Sequence, residues 1–323
     1  SYPAVIAVPD SPGASDGYIY VIGGFVSPPG LDASISSAAV HVGRFEDGTL
    51  TWLPPDTDLM LPIVKPNAAT EGWTFGVHAA EAQMVHINDK TYLYLIGGLQ
   101  NYLEQEDDIN GSPYIFYAEV GSNGSLQNPQ TGDKGWAVMQ QPGTEEPLQI
   151  PVPADATFDD MGLWYSSSVH YNEMDNDGDI TGVALYLIGG QRRKEGVQDN
   201  YKYSNFIYKA TIQDDGTLQW DDWSGTLPQS PLSGMEATNY EQNIYIPGGR
   251  RFVQDQGEWV ADEEYEEVLS TFIGDDMQIE SDTFASNDMK RNRYDHGVSI
   301  IESTAPNSST LAFFYVVAGR SDV

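Results

Sequence analysis

Tyr18-Ile-Tyr-Val-Ile-Gly-Gly24 decides the fold, because close copies of it recur along the chain. They are Tyr92-Leu-Tyr-Leu-Ile-Gly-Gly98, Leu185-Tyr-Leu-Ile-Gly-Gly190, Ile244-Tyr-Ile-Pro-Gly-Gly249 and Phe314-Tyr-Val-Val-Ala-Gly319, the last with Ala-Gly in place of the doublet. Each run is dense in Tyr, Ile, Leu and Val and shows no polar side, the composition of a strand buried on both faces. The doublet then ends the strand, since glycine reaches positive φ and lets a neighbouring backbone come close.

Upstream of each doublet strand lies a segment of small and apolar residues that suits a crowded innermost strand. These are Tyr2-Pro-Ala-Val-Ile-Ala-Val8, His78-Ala-Ala-Glu-Ala-Gln-Met-Val85, Ser166-Ser-Ser-Val-His170, Ser233-Gly-Met-Glu-Ala-Thr238 and His296-Gly-Val-Ser-Ile-Ile301. Downstream, after a variable loop, an alternating run meets a hairpin signal. It reads Ala39-Val-His-Val-Gly-Arg-Phe-Glu-Asp-Gly-Thr-Leu-Thr-Trp52, then Ile115-Phe-Tyr-Ala-Glu-Val-Gly-Ser-Asn-Gly-Ser-Leu126, then Ile207-Tyr-Lys-Ala-Thr-Ile-Gln-Asp-Asp-Gly-Thr-Leu-Gln-Trp220. Asp47-Gly48, Asn123-Gly124 and Asp215-Gly216 are strong turn dipeptides between alternating strands. A degenerate copy runs over 264–279. Inner strand, doublet strand and hairpin make four antiparallel strands per unit. One such unit cannot bury both its faces, whereas radial packing of several does so and leaves only short edges.

With these motifs in place, the sequence resembles the kelch family of β-propellers, especially the bacterial secreted type with Tyr-Ala-x-Ile-x-x-Asp-Gly-x-Leu-x-x-Trp between glycine doublets. The resemblance covers nearly the whole chain and implies one all-β propeller domain over 1–323. Blades are expected at about 1–70, 71–155, 156–228 and 229–288, with the first half of a fifth at 289–323. Every interval between doublets exceeds the kelch period of about 50 residues, so loops carry insertions. On this reading the fifth blade lacks its outer hairpin, and the ring is completed by residues outside the sequence. Ser1 is not an initiator Met, which fits a removed leader or an excerpt.

Composition narrows the function. Fifteen Lys and Arg against 48 Asp and Glu give a net charge of −33, a surface that repels nucleic acid and anionic membrane. There is no cysteine, which excludes disulfides, Cys-bound zinc and thiol catalysis. It also excludes the Tyr–Cys cofactor of galactose-oxidase-like kelch enzymes. No run approaches the roughly 18 apolar residues of a membrane span. The five histidines, at 41, 78, 86, 170 and 296, show no ligand spacing. P-loop, nucleophile-elbow and dinucleotide signatures are missing. No catalytic residue is nominated. Asn110, Asn123 and Asn307 open glycosylation sequons.

The scarce bases cluster. Arg192, Arg193 and Lys194 follow the third doublet, Arg250 and Arg251 the fourth, and Arg320 the fifth glycine; Lys290, Arg291 and Arg293 lead into the fifth blade. Up-down strand order puts these loops on one face, where arginine can grip a carboxylate, sulfate or acidic sugar. Pairing with nearby acids is the competing reading. Trp73, Trp164 and Tyr165 are expected on the same face, to stack on a ligand or to plug gaps between blades. On the opposite face Glu173, Asp175, Asp177, Gly178 and Asp179 resemble the start of a calcium loop, but Ala184 stands where the closing Glu belongs. Ca2+ and a solvated hairpin tip both remain open there; no other cofactor is expected. The favoured function is an extracellular or cell-surface module that binds a protein or glycan through its loop-rich face, as part of a larger polypeptide or assembly. The alternatives are a mutarotase- or lyase-like enzyme on an acidic sugar, and a structural domain of a larger surface protein.

Overall fold

The computed structural model describes residues 2–11, 14–27, 35–62, 76–101, 109–152, 162–174, 180–193, 201–228, 231–255, 258–262, 267–273, 279, 285–288, 297–304 and 310–317. They form an all-β chain of small antiparallel sheets, with one short 3-10 turn at Thr57–Leu59 and no α-helix among the described residues. The repeating element is a four-stranded meander. The first runs Ala4–Pro9, Gly17–Ile22, Val40–Glu46, Thr49–Trp52 in spatial order, and the third Ser167–Met174, Ile180–Ile188, Phe206–Ile212, Leu218–Thr226. The fourth has Thr238–Tyr240, Asn243–Pro247, Glu267–Phe272 and Ala285–Asp288 in the same order. In the second, Glu81–Ile87, Lys90–Ile96 and Ile115–Val120 pair in order, and the outer edge is shared by Leu126–Gln127 and Ala137–Val138. Pro129 interrupts that outer strand, as proline does wherever a ladder needs its N–H. Gly297–Thr304 and Thr310–Val317 form a further antiparallel pair.

The expected doublet strands are the second strands of these sheets. Their central residues are buried on both faces, as Tyr92–Ile96 and Val183–Ile188 show. Each described doublet has both glycines at positive φ, from Gly23 at 67° and Gly24 at 99° to Gly248 at 65° and Gly249 at 93°. The doublets also tie one repeat to the next. Gly24 N donates to Val77 O, Gly98 N to Leu163 O and Gly190 N to Leu232 O, each at 2.8 Å. A second tie comes from the tyrosines. Tyr20 Oη donates to Gly124 O and Tyr94 Oη to Gly216 O, both at 2.8 Å. The acceptors are the hairpin glycines one repeat further on. Burial pushes the Tyr20 and Tyr94 hydroxyls well above the ordinary phenol range, so both stay protonated and donate.

Two parts of the sequence reading change. The fourth inner strand is Thr238–Tyr240, not 233–238. The tight turn at 241–242, with Glu241 at φ 51°, forces residue 240 to face 243. Leu232 and Ser233 pair instead with Arg251 and Arg250. In the second repeat the inner strand starts at Glu81, and Asn88 and Asp89 form its hairpin with φ of 49° and 61°, the positive pair of a type I′ turn.

By packing the chain divides into two units, one of Ser1–Trp164 with Arg192–Tyr201 and Gln213–Leu218, the other of Tyr165–Gln191, Lys202–Ile212 and Gln219–Val323. The first has a core that includes Tyr20, Ile22, Val42, Leu93, Leu95 and Phe116; the second has one that includes Val169, Tyr186, Ile188, Ile207, Ile244 and Leu269.

His78 shows what burial in the first core does to a titratable group. Its Nδ1 lies 2.8 Å from Ser36 Oγ, the Phe25 ring is 4.7 Å away, and burial pulls its pKa down to about 4. The unfolded imidazole titrates near 6.5, so between those values only the unfolded chain takes up the proton. Stability therefore falls as pH drops through that window. The expected loss between pH 7.5 and 5 is about 2 kcal/mol. Urea unfolding at the two pH values measures it, and His78→Gln should remove that part of the acid sensitivity. An unchanged pH slope in the variant would refute the assignment.

Candidate functional site

What the sequence reading took as variable loops after the doublets are ribbons. Phe25–Val26 pairs with Ile35–Ser36, Leu99–Asn101 with Ile109–Gly111, Gln191–Arg193 with Tyr201–Tyr203, and Arg250–Asp255 with Glu258–Asp262. Each leaves its sheet at the doublet and returns to the third strand. The return is fastened the same way three times: Ser37 N donates to Gly24 O, Ser112 N to Gly98 O and Ser204 N to Gly190 O, at 2.7–2.8 Å. The positive φ of the doublet turns the chain out of the sheet plane, and the carbonyl it frees receives the returning strand.

The fourth ribbon carries Arg250 and Arg251 and is braced from a neighbouring segment of the second unit. Ser233 and Leu232 pair with these two residues, and Arg251 lies opposite Asp262. Gln191 Nε2 donates to Ser233 Oγ at 2.8 Å. Phe252 is buried and anchors the ribbon, while Val260 on the facing strand is exposed. Alternation along the strand puts Arg250 on the side of the buried Phe252, and Arg251 with Val253 on the other. Both arginines are half-buried. Tyr165 is half-buried too, at φ 51°, and its carbonyl accepts from Gly234 N at 2.9 Å.

Other nominated residues stand differently. Arg192 is 3% exposed, and its Nη2 donates to Pro151 O at 2.8 Å within the first unit. Trp164 is 1% exposed; its indole lies on Gly111, where a Cβ would sit 2.9 Å from the ring. It plugs a gap rather than presenting a ring to a ligand. Arg193 is placed on the third ribbon, but its side chain lies outside the described residues, as do Trp73, Arg293 and Arg320. Of the calcium candidates only Glu173 is described, on the strand that ends at Met174 beside a register shift. Asp175, Asp177 and Asp179 lie outside the described residues. No group of three or more metal-ligating side chains occurs among the described residues.

Two features were not nominated from the sequence. The first unit holds an open cavity of about 350 Å3 between Leu53, Pro54 and Val42 on one side and Asn123 and Ser125 on the other. At its rim Lys134 binds Asp56, and that hydrogen bond holds the Asp56 carboxyl below its usual range. In the second unit burial lifts the Glu236 carboxyl to about 7 and pulls the His170 imidazole below its ordinary value. Only the fold reveals either, because both depend on which strands stack.

The sequence matches no protein-family model and no curated protein. Solved structures do match. The structure of YjhT aligns over 99% of this chain and 82% of its own, with a TM-score of 0.50 at 12% identity. A cryo-EM structure of RAG in complex with one melted and one unmelted RSS aligns over 98% and 79%, with a TM-score of 0.50 at 10% identity. An α-L-arabinofuranosidase from Clostridium thermocellum aligns over 92% and 78%, with a TM-score of 0.43 at 12% identity, a likeness too slight to carry any argument. At such identities the first two speak for the fold alone: an all-β chain of repeated sheets.

Proposed function

We propose that the repeated sheets are blades of one kelch-like β-propeller domain over 1–323, and that it binds an acidic glycan or an acidic protein surface outside the cell. The observation that carries this reading is the succession of ribbons that leave the sheets after each described doublet. Ribbons hold side chains on a rigid ladder, which suits recognition better than mobile loops do. The fourth presents Arg250 and Arg251 from a braced backbone. Arginine's planar fork matches carboxylate and sulfate groups, and on a chain of net charge −33 a base on either side of the ribbon marks where an anion can land.

Calorimetric titration with uronic-acid and sialic-acid oligosaccharides, and with an acidic protein, tests it. Arg250→Ala and Arg251→Ala together should weaken binding by about 10-fold or more, the worth of a charge-assisted hydrogen bond. No heat with any of these ligands, or binding unchanged in the double variant, would sink the reading. Turnover of a bound sugar would turn it into the enzymatic alternative.

A further inference from the structure

The open cavity of the first unit has the chemistry of a ligand site. Both of its walls belong to that unit and to described residues. Val42, Leu53, Pro54, Pro55 and Leu59 supply the apolar part. Leu59 is buried, whereas Leu53 is 41% exposed and both prolines are exposed. The polar part is Asn123 and Ser125 on the facing hairpin, with Asp56 and Lys134 at the rim. A volume of about 350 Å3 lies at the lower end of the roughly 300–1,000 Å3 of small-molecule pockets, and suits one compact molecule.

The walls are held in place without a ligand. Leu53 N donates to Val42 O at 2.8 Å, which fixes the apolar wall to its sheet. On the facing hairpin Gly124 N donates to Gly121 O, and Gly124 O accepts from Tyr20 Oη. Asn123 Oδ1 accepts from Ser125 N at 3.1 Å. Asp56 Oδ1 accepts from Asp58 N at 3.1 Å, and its other oxygen accepts from Lys134 Nζ. A site built in advance loses less of its binding energy to ordering itself.

These bonds also define what a ligand must bring. Asn123 keeps its amide nitrogen, Ser125 its hydroxyl and Lys134 its further ammonium protons, all of them donors. Asp56 keeps lone pairs to accept with. The complement is an acceptor oxygen, an N–H or O–H donor and a small apolar group on one molecule. An anion is disfavoured by Asp56 and by a net charge of −33. A cation finds Asp56 already neutralised by Lys134. A simple hexose offers hydroxyls but no methyl, so Leu53 and the prolines would stay wet. An acetamido group meets all three demands: its carbonyl accepts, its N–H donates and its methyl covers apolar surface. We propose that this cavity binds a neutral N-acetylated amino sugar, with the acetamido group directed inward. The site shares no residue with the arginine ribbon and does not rest on what that ribbon binds.

Nuclear magnetic resonance on the isotope-labelled full chain, titrated with N-acetylglucosamine, tests the proposal. Up to about 10 mM sugar, enough for a site with a Kd of about 1 mM, the backbone amides of Leu53, Gly124 and Ser125 and the side-chain amide of Asn123 should shift together and saturate. Glucose over the same range should leave them in place. Asn123→Asp keeps an oxygen for Ser125 N but replaces the donor by a carboxylate, and should weaken binding about 10-fold or more. Leu53→Ser removes apolar contact and should weaken it about 5-fold. Both positions are exposed, and the spectrum of each variant shows directly that it is folded. Resonances of the parent chain that do not move overturn the proposal, as do equal shifts with glucose or binding indifferent to both substitutions. Tighter binding of N-acetyl-leucinamide than of the sugar also overturns it, in favour of an acylated peptide.

Discussion

Gly97→Ala is expected to lower the unfolding free energy by about 4 kcal/mol, while Gly132→Ala costs about 1 kcal/mol. Both glycines sit in the left-handed region, Gly97 at φ +67° and Gly132 at φ +78°. Both variants therefore carry the same backbone strain, about 1–2 kcal/mol for an L residue. They differ in what a side chain would meet. At Gly132 there is nothing within 4 Å; at Gly97 a Cβ would stand 2.1 Å from Leu163 O. That carbonyl is backbone of the next repeat and already accepts Gly98 N at 2.8 Å. To admit a methyl the two repeats must part, which breaks this hydrogen bond and loosens the packing of Leu95 and Ile96 behind it. Together these add about 2–3 kcal/mol. Urea unfolding of the two variants beside the parent gives the comparison. Equal losses would mean that strain alone explains the doublet and that the contact with Leu163 is unimportant.

The same contact explains why so much of the architecture was legible. Turn dipeptides and doublets are local demands: a φ above zero must be met by a particular residue type, so Asp47-Gly48 and Gly97-Gly98 announce themselves in one dimension. Burial on both faces likewise leaves a continuous apolar run that can be read without knowing the partner. The ribbons were hidden because they are short, two or three residues a strand in the first three cases, and a ladder of that length has no periodicity to detect. The fourth inner strand falls at Thr238–Tyr240 although 233–238 is the smaller and more apolar stretch, because the turn at 241–242 fixes which residues pair with 243–245. Side-chain exposure was legible least of all. Trp164 and Tyr165 are neighbours in sequence, yet one is sealed against Gly111 while the other is half-exposed. Arg192 and Arg251 occupy the same position, second after their doublets, but the first spends its guanidinium on Pro151 O. Whether a charged side chain faces a ligand or a carbonyl depends on the neighbouring repeat, which the local sequence does not contain.

Tyr94→Ala is expected to cost about 5 kcal/mol, and Tyr94→Phe about 2 kcal/mol. Tyr94 is completely buried, and its ring stacks against Tyr117 at 6.4 Å with an interplanar angle of 11°. The ring supplies the larger share through packing and cavity terms. The hydroxyl supplies the rest through its 2.8 Å bond to Gly216 O. Phenylalanine fills the same space but leaves that buried carbonyl without its donor, and the penalty for an unsatisfied polar group in a core exceeds the net worth of the bond. Tyr92, two residues earlier, closes the other side: a Cβ at Gly216 would fall 2.6 Å from its ring. The pair Tyr92 and Tyr94 thus grips the Asp215-Gly216 hairpin of the following repeat, as Tyr18 and Tyr20 grip Asn123-Gly124. This gives the Tyr-x-Tyr spacing its reason, because alternate strand residues on one face converge on one glycine. The grip also has a local readout. In Tyr94→Phe, amide hydrogen exchange should quicken at Gln213 and Gly216, whose N–H groups close that hairpin, while Gly121 and Gly124 keep their protection. A variant within 0.5 kcal/mol of the parent, with exchange unchanged over 213–218, would show that the two repeats are held by apolar contact alone.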